Sequence, residues 1–315
     1  LEINEGAAMS LIEKAVERLD QLNKASQDPG VAPVVTPEPR KAPAPAPRAR
    51  VATPEMGEPV SRTIEIDLAR LHSMGMVTPD HPRSSIAEEY RVVKRPLLKN
   101  ASSLSGSRVD NGNLIMVTSA LPGEGKSFTA LNLAISMAME LDHTVLLVDA
   151  DVSKPSVLRT LGLPPERGLM DVLVNQDLEL TDVLLRTNIE KFSILPAGNT
   201  SQRATELLAS ESMNRLLDEM ASRYSDRIIV FDSPPLLVTT EARALATHMG
   251  QIVMVVEAER TTHSAVKQAI ATIEACPVKM MLLNKSTMQG PGGYYGYGYG
   301  YGYEHEEAGE GARAA

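Results

Sequence analysis

Six short runs are apolar at nearly every position: 114–118 (LIMVT), 144–148 (TVLLV), 192–196 (FSILP), 227–231 (RIIVF), 251–256 (QIVMVV) and 279–283 (KMMLL). A strand with one wet face alternates apolar and polar residues, whereas a strand buried on both faces does not. Helical stretches separate these runs. The repetition predicts an α/β domain with a doubly wound, mostly parallel sheet. Ligands of such sheets bind beyond the carboxyl ends of the strands, so the residues just past the end of each run are the ones placed to carry chemistry.

After 114–118 comes SALPGEGKSF, in which Ala120-x4-Gly125-Lys126-Ser127 matches a phosphate-binding loop with Ala at its first position. Gly123 and Gly125 let backbone N–H groups curl around phosphate oxygens. Lys126 reaches the β- and γ-phosphates, the Ser127 hydroxyl binds Mg²⁺, and the following helix points its positive end at the anion. After 144–148 come Asp149 and Asp151, which can hold Mg²⁺ through water or accept a proton; a turn with capping aspartates is the competing reading. After 227–231 comes Asp232, with two prolines close behind it that end the strand. An acid at this place is the second magnesium-side carboxylate of nucleotide-hydrolysing folds. After 279–283 comes Asn284, which reads either as a partner for an adenine edge or as a turn residue. The candidate nucleotide contacts are Gly123, Glu124, Gly125, Lys126, Ser127, Phe128 and Asn284. The candidate magnesium ligands are Ser127, Asp151 and Asp232, and the candidate catalytic groups are Lys126, Asp149 and Asp151. The constellation implies ATP or GTP with Mg²⁺.

A second anomaly names the acceptor. Six of the eight tyrosines are Tyr294, Tyr295, Tyr297, Tyr299, Tyr301 and Tyr303, within PGGYYGYGYGYGY. Gly alternating with Tyr leaves no apolar face to bury, so residues 289–315 are expected to be a flexible tail whose phenols can enter an active site. A sticky aromatic low-complexity segment is the alternative.

The rest of the 315 residues divides by composition. Residues 9–24 carry Leu11, Ile12, Ala15, Val16, Leu19 and Leu22 at helical spacing, so 1–25 is read as an amphipathic helix that docks on a partner or folds back. Met9 is read as the start, and residues 1–8 are given no structural role. Residues 25–60 hold nine of the 21 prolines, and 26–83 is read as a largely disordered linker, with the compact domain at 84–288. The formal charge is −9, which disfavours bulk nucleic-acid binding. A lone cysteine excludes a disulfide scaffold or cysteine-rich zinc site. With no run approaching the roughly 18 apolar residues of a membrane span, the chain is expected to be cytoplasmic.

With these residues in hand, the chain resembles the bacterial tyrosine kinases of exopolysaccharide systems, and within them the exosortase-associated tyrosine autokinases. The resemblance covers about 84–303 and rests on SALPGEGKS, LLVDAD, LPAG (195–198), TELLAS (205–210), IIVFDSPP, LNK (283–285) and the tyrosine cluster. It implies a P-loop NTPase fold with deviant Walker motifs, ATP and Mg²⁺, and phosphorylation of C-terminal tyrosines in trans. By position, Asp232 becomes the Walker B acid and Asp149 the base for the tyrosine hydroxyl. It also implies a homo-oligomer held by a Glu-x-x-Arg-x-x-Arg helix, here Glu88, Arg91 and Lys94. Further implied partners are a membrane-spanning chain-length regulator that brings the kinase to the inner membrane face and a tyrosine phosphatase. Two departures stand out: Ser153 replaces a basic residue, with Lys154 next, and Lys94 replaces Arg. The competing class is a partitioning or positioning ATPase. That class carries a signature lysine where this chain has Leu121, and it lacks the tyrosine tail. A nucleotide-binding scaffold without catalysis is opposed by the intact Lys126, Asp149, Asp151 and Asp232 set.

Overall fold

The computed structural model describes residues 62–102, 109–175, 177–201, 203–223 and 227–287. The tyrosine cluster, the amphipathic 1–25 segment and the proline-rich stretch up to residue 61 lie outside the described residues.

All six apolar runs are strands of one eight-stranded sheet. The strands are β1 (Thr63–Ile64), β2 (Leu114–Ser119), β3 (Thr144–Asp149), β4 (Leu185–Thr187), β5 (Phe192–Leu195), β6 (Arg227–Asp232), β7 (Gln251–Glu257) and β8 (Val278–Asn284). Their order is β1-β4-β5-β3-β6-β2-β7-β8, and every pairing is parallel except β4 with β5. β1 and β4, two and three residues long, are too short to leave a period in the sequence.

Helices cover both faces, in chain order α1 (Leu68–Ser73), α2 (Ser85–Ala101), α3 (Lys126–Ala138), α4 (Val157–Leu161), α5 (Leu169–Val174), α6 (Leu180–Val183), α7 (Ala204–Leu208), α8 (Glu211–Arg223), α9 (Glu241–Ala246) and α10 (His263–Ala271). Ile115, Val117, Val145, Leu147 and Val230 pack into the layer with α2, α3 and α4. Leu114, Met116, Leu146, Val148 and Phe231 pack into the other, with α5, α8 and α9. Alternate residues of one strand thus enter two cores, which is why the runs are apolar throughout. β8 departs from that expectation. As an outer strand it alternates, leaving Met281 and Leu283 exposed at 52% and 63% while Met280 and Leu282 face the core.

The linker also ends earlier than expected. Residues 62–83 are part of the fold, not disordered chain: β1 pairs with β4, and Ile66, Leu71, Met76 and Val77 are buried. Asn188 receives the Ile66 N–H at 2.9 Å and donates to the Ile66 carbonyl at 3.0 Å. Asn132 receives the Val77 N–H at 2.6 Å. The physical reason is apolar burial against partners distant in sequence. Prolines crowd the stretch up to residue 59, after which Ile64, Ile66, Leu68 and Leu71 supply enough apolar surface to offset the entropy of ordering.

Candidate active site

The phosphate loop joins β2 to α3. Gly123 and Gly125 have φ of +88° and +99°, a region that glycine enters without a Cβ penalty. A Cβ on Gly125 would lie 2.0 Å from Asn284 Nδ2, whereas one on Gly123 would meet nothing within 4 Å, so the cradle opens there. Asn284 Nδ2 donates to the Glu124 carbonyl at 2.9 Å, and Lys285 Nζ to the Gly123 carbonyl at 2.7 Å. The end of β8 therefore braces the loop from outside. The Glu124 side chain is buried; it accepts from the Leu121 N–H at 2.6 Å and from the Thr261 hydroxyl. Glu124 thus has only its backbone to offer a ligand. Phe128 is half-buried against the α2–α3 layer. Lys285 was singled out only as part of LNK (283–285), with no role of its own, and Thr261 not at all. Lys285 adjoins Asn284, which is a signal of sorts; Thr261 carries none.

The register of the parallel sheet supplies the carboxylates. Asp149 at the end of β3 sits opposite Asp232 at the end of β6, and Asp232 also pairs in register with Val117 of β2. Asp149, Asp151, Asp232 and Lys126 therefore converge. Lys126 Nζ lies 2.6 Å from Asp151 Oδ2, 3.7 Å from Asp232 Oδ1 and 3.3 Å from the Ser127 hydroxyl. Asp149 Oδ2 accepts the N–H groups of Ser156 and Val157, both at 3.0 Å, and so fixes the start of α4. The Lys154 N–H donates to Asp151 Oδ1 at 3.2 Å.

Three buried carboxylates face one ammonium, and the imbalance shows in their titration. Burial, then the charge of Asp232, pushes Asp149 up to about 7, although the Val157 and Ser156 N–H groups pull the other way. Burial also pushes Asp232 up to about 6, against the pull of Lys126. Burial works against the Lys126 ammonium, but Asp232 and Asp151 outweigh it and hold its pKa above the ordinary lysine value. Asp149 Oδ1 and Asp232 Oδ1 are buried without a hydrogen-bond partner. Leaving such atoms unpaired costs about 1–3 kcal/mol each, so the site is incomplete as it stands. Oxygen donors short of positive charge fit Mg²⁺, which takes one or two carboxylates together with water and phosphate oxygens.

The oligomer residues do not all lie where expected. Glu88 and Arg91 pair at 2.6 Å on the exposed face of α2. Lys94 is buried: its Nζ donates to the Ser136 carbonyl at 2.5 Å and pairs with Glu140 at 2.7 Å. The Lys94 expectation is thus corrected. Positions 87, 90, 94 and 97 form the inward stripe of α2, and a 3.6-residue period carries residue 94 away from the Glu88–Arg91 face. The stripe of Ala87, Tyr90 and Leu97 was the available sequence signal.

Beside the carboxylates lies a cavity of about 370 Å³ with Asp149 in its wall, lined by Leu158, Leu163, Pro165 and Pro196. Of these four, only Pro196 belongs to a motif singled out from the sequence, LPAG (195–198).

Comparison with known proteins identifies the family. Residues 112–286 match the family described as AAA domain. Tyrosine-protein kinase YwqD of Bacillus subtilis (strain 168) is 30% identical over 226 residues, covering 70% of this chain and 91% of the relative. The chain belongs to the bacterial tyrosine-protein kinase family. The kinase domain of Escherichia coli tyrosine kinase ETK superposes with a TM-score of 0.60 at 25% identity, covering 76% of this kinase and 94% of that domain. The succinoglycan biosynthesis transport protein ExoP of Rhizobium meliloti (strain 1021) is 31% identical over 233 residues, which are 72% of this kinase but 28% of that longer protein. Among the described residues of the kinase, no helix is long and apolar enough to cross a membrane.

Proposed function

We propose that this kinase transfers the γ-phosphoryl group of ATP to Tyr294, Tyr295, Tyr297, Tyr299, Tyr301 and Tyr303 of a second copy of the same chain, and that this controls polysaccharide synthesis and export. The observation that carries the reading is the meeting of Lys126, Asp151 and Asp232 at the phosphate loop, with Asp149 beside them and raised to about 7. A carboxylate at its ordinary value is a poor base for a phenol of pKa near 10; one near 7 is better matched. Asp149 accepts the phenolic proton as the phenolic oxygen bonds to phosphorus. The bond from phosphorus to the β–γ bridging oxygen breaks, and its electron pair leaves with ADP. Lys126 neutralises charge on the transferring group. Ser127, Asp151 and Asp232 would hold Mg²⁺, which supplies charge neutralisation at the phosphate oxygens. Asn284 and Lys285 keep the loop closed around its ligand.

The exposed Glu88–Arg91 pair supports a homo-oligomer through α2. Phosphorylation would loosen it. Each phosphotyrosine adds about −1.5 to −2 charges, so six add roughly −9 to −12, comparable to the −9 of the whole chain. A tail so charged is repelled by three carboxylates. A membrane-spanning regulator of chain length is the proposed activator, holding the kinase peripherally at the inner membrane face, with the 1–25 segment as docking element. The match to 28% of a longer protein named for succinoglycan biosynthesis transport supports the setting in a polysaccharide system. A tyrosine phosphatase resets the cycle.

The test mixes two inactive-alone species with ATP and Mg²⁺: a full chain carrying Lys126→Met, and a full chain with its six tail tyrosines replaced by Phe. Mass spectrometry should find phosphate on the tail of the Lys126→Met copy. No phosphotyrosine in the mixture or in wild type would overturn the kinase reading; phosphate in wild type alone would overturn transfer in trans.

A further inference from the structure

The cavity beside Asp149 has a feature that phosphoryl transfer itself does not use. Its walls are apolar through Leu158, Leu163, Pro165 and Pro196, and Asp149 stands among them. A cavity of about 370 Å³ is ample for one phenol ring, with Asp149 in its wall. Two further charged residues line it, Arg159 and Glu166. Glu166 is neutralised by Arg62 at 2.7 Å. Arg159 is exposed, and its guanidinium has no hydrogen bond or ion pair among the described residues. The acceptor cavity is thus rimmed by one uncompensated cation.

We propose that Arg159 is a specificity-determining residue that binds negative charge a few residues from the tyrosine in the cavity, so that the tail is modified in order from its C-terminal end. This rests on the kinase reading above. Tyr303 is followed by Glu304, Glu306 and Glu307, whereas Tyr294 follows Pro291, Gly292 and Gly293. With Tyr303 in the cavity, Glu304, Glu306 and Glu307 are the charges that follow toward the Arg159 rim, and Glu307 shares the tyrosine's side of an extended segment. In an extended segment, residues two apart point the same way and lie about 7 Å apart. Once Tyr303 carries phosphate, entry of Tyr301 brings that phosphate to the rim in place of the glutamates. Arginine suits this task because its planar fork binds phosphate through paired hydrogen bonds. Each product then primes the next acceptor, through Tyr299 and Tyr297 toward Tyr294.

The first measurement needs no variant of the cavity. Wild-type full chain is sampled over time with ATP and Mg²⁺, and each tyrosine is quantified by mass spectrometry; Tyr303 and Tyr301 should be labelled first. The second uses the full chain with its six tail tyrosines replaced by Phe as enzyme, and peptides of residues 298–309 as acceptors. One peptide is native, one has Gln at 304, 306 and 307, and one has those Gln residues with phosphotyrosine at 303. The native and primed peptides should exceed the Gln peptide in kcat/KM by about three- to tenfold. Within Arg159→Gln that ratio should fall close to one, and within Arg159→Glu it should invert for a peptide with Lys at the three positions. Labelling that begins at Tyr294, or a ratio unchanged by Arg159→Gln and Arg159→Glu, overturns the proposal while leaving the kinase intact. A wild-type chain that labels no tyrosine overturns the kinase reading and the proposal with it.

Discussion

Replacing Asp149 with Asn should stabilise the nucleotide-free, Mg²⁺-free protein while abolishing its activity. Asp149 is 1% exposed, and its pKa is raised from 3.8 to about 7, first by burial and then by Asp232. A carboxyl raised in the folded state binds its proton more tightly there than in the unfolded chain. Its contribution to stability is therefore complete below about pH 4 and is lost as pH rises toward 7. The difference between 3.8 and about 7 corresponds to about 4 kcal/mol at 25 °C. Asn carries no charge to lose. Its carbonyl oxygen can take over the Ser156 and Val157 N–H bonds now made by Oδ2, and its NH₂ can face Asp232 where Oδ1 is unpartnered. At pH 8 the variant should exceed wild type by up to about 4 kcal/mol, a rise in Tm on the order of 8–16 °C for a domain of this size. At pH 4 the two should converge. Thermal or urea unfolding followed by circular dichroism from pH 4 to 8, in EDTA, reads this directly. A variant equally destabilised at every pH would refute the reasoning, because the Asp149 charge would then be a net support of the fold. Tail phosphorylation should fall by at least 10²-fold, the usual contribution of a positioned base.

Lys126→Met should abolish phosphoryl transfer with an unchanged circular dichroism spectrum, since Lys126 is the only cation within 4 Å of Asp151 and Asp232 among the described residues; retained autophosphorylation would remove it from the reaction. Asn284→Ala removes the 2.9 Å bond to the Glu124 carbonyl and should raise KM for ATP by about five- to tenfold, the worth of one hydrogen bond, as measured by steady-state kinetics. Leu71→Ala should cost about 2–5 kcal/mol in urea unfolding, because Leu71 is fully buried. A chain truncated at residue 61 should match the full protein in Tm, and one truncated at 83 should not.

The sheet and its site were legible because both rest on local patterns. Buried parallel strands announce themselves as unbroken apolar runs, and a glycine loop ending in Lys126-Ser127 is constrained by phosphate geometry. The illegible parts needed partners distant in sequence. β1 is ordered only because β4 pairs with it, and Ile66 only because Asn188, 122 residues away, satisfies its backbone. Lys94 was misplaced because a charge motif outweighed the helical stripe on which it sits. Glu124 reads as a nucleotide contact, yet its side-chain partners are Leu121 and, 137 positions away, Thr261. The cavity residues Leu158, Leu163 and Pro165 carry no chemical signature of their own; only the turn of chain after Asp149 makes them a wall.

Asp149 links three parts of the molecule. Its backbone ends β3, its Oδ2 anchors the first N–H groups of α4, and its Oδ1 is left without a partner. α4 in turn carries Leu158 and Arg159 to the cavity proposed for the acceptor. Any change in charge at the phosphate loop is therefore felt at the start of the helix that walls the acceptor cavity, within two bonds of one side chain. A Mg²⁺ ion held by Ser127, Asp151 and Asp232 would place positive charge beside Asp149, which favours its ionised form. An ionised Asp149 both holds the α4 N–H groups more strongly, as charge-assisted bonds do, and becomes able to take a proton. In the proposed transfer, readiness to accept the phenolic proton and firmness of the cavity wall thus rise together, because one carboxylate carries both.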